Sequence, residues 1–236
     1  MKQVPQRPGT IGRGIGGRQK LIDAALELAS TTRSLASLGL REVTRCAGLA
    51  PNSFYRHFKD FDDLGLAAVE MLGGELRRGL RERRRRPSQS RKATGLLDSS
   101  NRLNPAAREM IRSTVGLVLD FVDEHPTAYI VGIRELHGSS PTMRKAVNHL
   151  LDAFAADMAE DVRALVDIPG LGTEALNEIS RQMIRQMTFF SMDYLEQPGR
   201  RDAIRDEAER FIVRMFAGEM AMAEAKKPAR KVAKRG

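Results

Sequence analysis

An all-α fold of about nine helices is predicted for this 236-residue chain from three observations. Trp is absent and aromatics are only 5% of the residues, which disfavours a large β-sandwich and suits helices built on Leu, Ala and Met. Apolar residues recur at helical rather than strand spacing. Prolines, glycines and small polar residues punctuate those stretches where helices start and stop. The length allows one or two domains burying roughly 70–75% of the unfolded surface. A single Cys excludes an intramolecular disulfide framework, and with four scattered His it excludes a standard zinc finger or Cys-rich metal site. No uncharged apolar run approaches about 18 residues, so no membrane span is expected. The N-terminus lacks the apolar stretch of a signal peptide, and a cytoplasmic protein is expected.

In chain order, residues 1–17 are Pro/Gly-rich and basic, which predicts a disordered arm. Its Gly12-Arg13-Gly14-Ile15-Gly16-Gly17 is a literal G-x-G-x-x-G, but no buried strand precedes it, so no dinucleotide site is expected. From Arg18 a helix presents Leu21, Ile22, Ala25, Leu28 and Ala29 on one face. A short helix from Leu40 to about Ala47 turns Val43 and Ala47 inward and Arg41 and Arg45 outward, and Gly48 stops it. Pro51 suits the first turn of another short helix, through Phe58. Asp60, Asp62 and Asp63 complement the N-terminal dipole of a long helix carrying Leu64, Ala68, Leu72, Leu76 and Leu80.

That helix ends in Arg83-Arg84-Arg85-Arg86, and residues 87–103 read as a mobile linker. Helices are then expected from Asn104-Pro105 to His125, from Pro126 to about Gly138, and from Ser140-Pro141 to about Asp167. A helix capped by Thr173 runs to about Gln197, and Pro198 opens the last, to about Ala225. The basic tail, 226–236, is expected to be disordered.

Charge is divided along this order. Residues 1–92 hold 19 Lys/Arg against 9 Asp/Glu, residues 93–225 hold 14 against 21, and the tail adds six cations and no acid. A basic first third on an acidic remainder suggests a polyanion-binding head on a body with another task.

Residues 40–58, LREVTRCAGLAPNSFYRHF, supply such a head, having the form helix, tight turn, helix. Val43, Ala47, Phe54 and Phe58 can pack together, which leaves Asn52, Ser53, Tyr55, Arg56 and His57 exposed on the second helix. Short polar groups near a helix N-terminus reach base edges, while cations and hydroxyls serve phosphates. His57 lies one turn from Ser53, but no acid at a recognisable spacing orients it, so catalysis is not expected. His125, His137 and His149 share no ligand spacing, and Cys46 reads as a packing residue.

The stretch 18–80 resembles the TetR family of bacterial transcription regulators, on Ala47-Gly48-Leu49, Phe54-Tyr55-Arg56-His57-Phe58 and Asp60-Phe61-Asp62-Asp63-Leu64. The string SLASLGLREV…AGLAPNSFYRHFKDFDDLGL is similar to the FabR/DesT-type regulators of unsaturated fatty-acid synthesis, and Arg134-Glu135-Leu136-His137-Gly138 looks like a segment of their bodies. Two positions depart from the family: Gly39 replaces a usual Ser or Thr, and Thr44 a usual Ala, in a crowded junction.

The resemblance implies a helix-turn-helix DNA-binding domain over 18–64 and a helical ligand-binding and dimerisation domain over 65–225. Arg41, Arg45, Asn52, Ser53, Tyr55, Arg56, His57 and Lys59 would face double-stranded operator DNA, with Tyr55 and Lys59 on phosphates. It also implies a cavity between body helices, taking in Met110, Leu117, Phe121, Ile130, Ile133, Arg134, Phe154 and Met158. Its ligand class would be a long-chain acyl thioester, as acyl-CoA or on acyl carrier protein. Arg134 would meet either the ligand's anionic head or a neighbouring acid.

The stripes Leu176, Ile179, Met183, Met187, Phe190, Tyr194 and Ile204, Ala208, Phe211, Met215, Phe216, Met220 lie on helices that pair with a second copy in that family. A homodimeric, cytoplasmic, nucleoid-associated repressor is therefore expected, with no enzyme activity, cofactor or metal. The alternative is an acyl-binding carrier or enzyme whose helix-turn-helix is only scaffold.

Overall fold

Gly16 caps the first helix of the chain in this computed structural model, which describes residues 16–31, 34–85, 93–94, 104–167 and 171–225. Eight α-helices follow one another: α1 (Gly17–Ser30), α2 (Leu40–Cys46), α3 (Phe61–Arg85), α4 (Pro105–Glu124), α5 (Pro126–Glu135), α6 (Pro141–Leu165), α7 (Thr173–Glu196) and α8 (Arg201–Ala225). A ninth, Pro51–Arg56, is a 3₁₀ helix between α2 and α3. Single 3₁₀ turns lie at Leu35–Ser37 and Pro198–Arg200. The all-α class and the helix order are those expected.

Three expectations need amendment. Gly16 and Gly17, read as part of the arm, form the cap and first residue of α1. Ala93–Thr94 (β1), read as linker, pairs in parallel with Val166–Asp167 (β2), read as the end of a helix. Two residues are too few for an alternating pattern to show. Gly172, not Thr173, holds the cap position of α7, and Thr173 is its first helical residue. Residues 1–15, 86–92, 95–103 and 226–236 lie outside the described residues, and with them most of the expected arm and linker and all of the tail.

Local chemistry explains the boundaries around the head. At the end of α2, Gly48 takes φ +67, the Gly48 N–H donates to Arg45 O at 3.1 Å and Leu49 N–H to Thr44 O at 2.8 Å. This paired pattern is a Schellman stop, and only glycine takes the left-handed position without strain. Thr44 is buried without penalty because its hydroxyl donates to Leu40 O at 2.9 Å. At α3 the acids form a cap: Asp60 Oδ1 accepts Asp63 N–H at 2.8 Å and Asp63 Oδ2 accepts Lys59 N–H at 2.9 Å. Ser140 Oγ accepts Met143 N–H at 3.2 Å at the head of α6 and donates to Asp62 at 2.8 Å. One hydroxyl thus caps a body helix and ties it to α3.

Two apolar cores result. The first joins Leu21, Ile22, Val43, Phe54, Phe58 and Leu64, and draws in Val131 of α5 and Met143 of α6. The second lies among α4, α6, α7 and α8, around Leu119, Met183, Ile204 and Phe216. Most of the α7 stripe, from Leu176 to Met187 and again at Tyr194, is buried within this second core, as are Ile204, Ala208 and Phe216. Those side chains are interior to a single copy.

Candidate functional site

The 3₁₀ helix is held from below by an aromatic cluster. Phe54 and Phe58 are buried, and the Phe54 ring lies 5.5 Å from Tyr55, 5.9 Å from Phe58 and 5.2 Å from Phe61. Because these inward positions are fixed, Asn52, Tyr55, Arg56, His57 and Lys59 are left exposed and Ser53 half-buried. Tyr55 is 67% exposed, a strong departure for so large a ring. Arg41 and Arg45 are exposed on α2. His57 sits close to the start of α1, where a Cβ on Gly17 would stand 2.7 Å from its Nε2. Arg18 stacks over the Phe58 ring at 5.3 Å. The surface therefore presents one amide, two hydroxyls, one imidazole and four cations on a rigid base.

Cys46 is exposed on the same side chain run, which corrects its reading as a packing residue. As a last-turn residue of α2 it faces Glu27, 3.8 Å away, rather than the core. Partial desolvation, then the Glu27 carboxylate, raises its thiol above the ordinary value, so it is not an activated thiolate.

Beneath the head lies an apolar cavity of about 230 Å³. Met110, Phe121, Ile133, Phe154 and Met158 line it, joined by Leu72, Leu76 and Leu80 of α3. Three of the expected lining residues are elsewhere. Leu117, half-buried on α4 in contact range of Gly79, and Ile130, half-buried on α5, are not among the residues that line the cavity. Arg134 points away to α1, where its guanidinium donates to Ala29 O at 2.6 Å and Ser30 O at 3.5 Å. It finishes a helix C-terminus, where orphan carbonyls and the dipole favour a cation.

Polar groups in the wall are few. Arg77 of α3 and Asp157 of α6 form a two-point pair at 2.7 and 2.8 Å, and this bonding raises the Arg77 guanidinium further. Desolvation pushes the Tyr129 phenol up to about 12, which keeps it a neutral donor. Glu135 is 1% exposed; its Oε1 accepts the Leu35 N–H at 2.9 Å and its Oε2 has no partner. An unpaired buried polar atom costs about 1–3 kcal/mol.

No family model matches the chain. Solved structures do. The fatty acid degradation regulator FadR from Bacillus halodurans is 12% identical and superposes with TM-score 0.66 over 86% of this chain and 97% of its own. A tetR-family transcriptional regulator from Streptomyces coelicolor is 22% identical, with TM-score 0.58 over 90% and 85%. The transcriptional regulator FadR from Bacillus subtilis, solved in complex with stearoyl-CoA, is 18% identical, with TM-score 0.59 over 83% and 97%. The fold is that of the TetR-family regulators.

Within the TetR fold, the ties between distant helices and turns escaped sequence reasoning. Arg77–Asp157, Ser140–Asp62 and Glu135–Leu35 join residues 78 to 100 positions apart, a distance no local pattern reports. Glu135 did leave a trace. An acid in the last turn of a helix opposes the dipole, so it needs another reason to be there.

Proposed function

We propose that this chain is a homodimeric TetR-type transcriptional repressor that binds a palindromic operator, and that a hydrophobic ligand in the cavity changes its affinity for DNA. The observation that carries the reading is the exposed set Asn52, Tyr55, Arg56, His57 and Lys59 on a buried aromatic base, whose apolar core also takes in Val131 and Met143 of the cavity wall. Residues 18–64 act as the DNA-binding domain and 65–225 as the ligand-binding and dimerisation domain, in a cytoplasmic protein found on the nucleoid when bound.

Among the described residues, three large apolar side chains are markedly exposed: Tyr55, Phe189 and Met222. Tyr55 belongs to the DNA face. Phe189 of α7 and Met222 of α8 belong to the helices assigned to the partner copy, and their exposure supports burial there. The stearoyl-CoA held by the Bacillus subtilis neighbour supports an acyl thioester as ligand, as the FabR/DesT resemblance implies. In operation, a ligand that prefers one spacing of the two heads shifts the dimer toward or away from the operator-competent state.

Selection from a random DNA pool, with and without long-chain acyl-CoA, tests this reading. Recovered sites should show inverted symmetry, with half-sites centred roughly 34–36 Å apart or a multiple of that. A monomer in sedimentation at micromolar concentration, or sites without symmetry, contradicts it. Tight acyl binding with only nonspecific DNA affinity would instead favour a carrier.

The roles within the interface separate by salt and sequence. Tyr55→Phe and Lys59→Ala should weaken binding to every sequence alike, and Lys59→Ala should lower the salt slope by about one unit. Asn52→Ala should mainly relax preference at one or two base pairs. Equal weakening of all sites by Asn52→Ala would show that Asn52 does not read a base.

A further inference from the structure

Met143 lies where the cavity meets the head: it belongs to the apolar core of the head and also lines the cavity. Both its side chain and its backbone hold α3. The thioether rests on Gly65, where a Cβ would stand 2.6 Å from Met143 Sδ, 3.0 Å from its Cε and 3.3 Å from Leu35 Cδ1. The Met143 N–H donates to Ser140 Oγ, which donates in turn to Asp62 Oδ1. Asp62 and Gly65 stand one turn apart at the start of α3, beside the Asp63 that accepts the Lys59 N–H. The cavity runs along this helix, whose lining residues extend from Gly65 to Leu80, roughly 22 Å of helix. Around Gly65 the wall is formed by Leu35, Val131 and Met143, each 2% exposed, whereas Leu76 and Leu80 are half-buried. The end against the head is therefore the closed one. The bulky carrier of a thioester cannot enter it, so the methyl terminus of a bound chain is the part that approaches Met143.

We infer that Met143 gauges the length of the bound chain, so that only a chain reaching the head end of the cavity alters operator affinity. This rests on the cavity being the effector site, as proposed above, and adds the residue that turns chain length into response. A shorter chain fills the wider part of the cavity and leaves the thioether in place. A longer one arrives beside Sδ, and because interiors are packed close to crystal density the thioether must move. Unbranched and flexible, it yields first, against Gly65 and Leu35, and α3 shifts with it. Occupancy alone changes nothing, since a ligand moves an equilibrium only by its difference in affinity for the two states. Binding and response therefore have different dependences on chain length.

Calorimetry of the full chain with octanoyl-, dodecanoyl-, hexadecanoyl- and icosanoyl-CoA gives each affinity, and operator titrations then follow at equal, near-saturating occupancy. Hexadecanoyl-CoA should change operator affinity about five-fold or more, and octanoyl-CoA less than about two-fold. Met143→Ala removes the groups that touch Gly65. That variant should still bind hexadecanoyl-CoA but lose the response to it, and the longer icosanoyl-CoA should restore the response. Met143→Leu keeps the core filled with a shorter side chain and should move the threshold in the same direction, with circular dichroism confirming helicity. Equal responses to octanoyl- and hexadecanoyl-CoA at equal occupancy overturn the inference and leave the cavity as the effector site. Thioesters that do not bind, or that bind without any operator effect, overturn the reading beneath it as well. An unchanged chain-length threshold in the folded variants overturns the assignment to Met143.

Discussion

If the proposed interface is right, Phe54→Ala is expected to abolish specific operator binding although Phe54 is turned away from the exposed side of the 3₁₀ helix. The ring is 1% exposed and touches Tyr55, Phe58 and Phe61, so it supports the whole 3₁₀ helix from beneath. Truncating a buried Phe costs about 3–5 kcal/mol, from lost transfer energy and the cavity left behind. A typical domain has only about 5–15 kcal/mol in total. The six-residue 3₁₀ helix has weak internal bonding and no side-chain cap, so it depends on that packing. Urea unfolding should show the loss of stability, and hydrogen exchange should place the greatest loss of protection in α2 through the start of α3. Operator affinity equal to that of the unaltered protein would contradict the supporting role given to Phe54.

The second large effect is expected in the cavity. Apolar burial contributes about 0.8 kcal/mol per methylene, so a chain of about sixteen carbons should bind far more tightly than one of about eight. Coupling between two sites is typically about 1–3 kcal/mol, and long-chain acyl thioesters should therefore change operator affinity at least about five-fold. Phe121→Asp should abolish that response. Phe121 lines the cavity at the last turn of α4, with its ring 4.6 Å from His125, and is only half-buried, so an acid there charges the wall while the helix persists. Operator titrations across acyl chain lengths, with dimerisation and helicity checked for the variant, measure both. Absence of any chain-length dependence removes the acyl ligand and leaves the DNA-binding reading intact.

Periodicity and punctuation were the legible part of this fold. The apolar face of α1, the Gly48 stop and the acid cap of α3 are all local, and local chemistry is what a sequence displays directly. Asn104 capping α4 is another such case, with its Oδ1 3.0 Å from the Ala106 N–H. The exposed set on the 3₁₀ helix was legible for the same reason, because burying Phe54 and Phe58 decides which neighbours remain outside. The cavity was legible only in part. Met110, Phe121 and Phe154 line the cavity, but Ile130 is just as apolar and does not, which only the placement of α5 decides. Arg134 and Glu135 adjoin in sequence and yet serve different partners, the α1 carbonyls and the Leu35 amide. Their roles follow from where α1 rests against α5.

Loss of modularity is the consequence of that Arg134 contact. The last carbonyls of α1 are satisfied by a side chain more than a hundred positions away, and the apolar core of the head is completed by Val131 and Met143. A fragment cut after α3 would therefore expose an unfinished helix end and an incomplete core. Grafting the segment through the start of α3 onto another protein of this fold succeeds only if the host supplies a cation at the position of Arg134, an acceptor at that of Glu135 and two apolar groups. The two parts are adjacent in the chain but are not interchangeable.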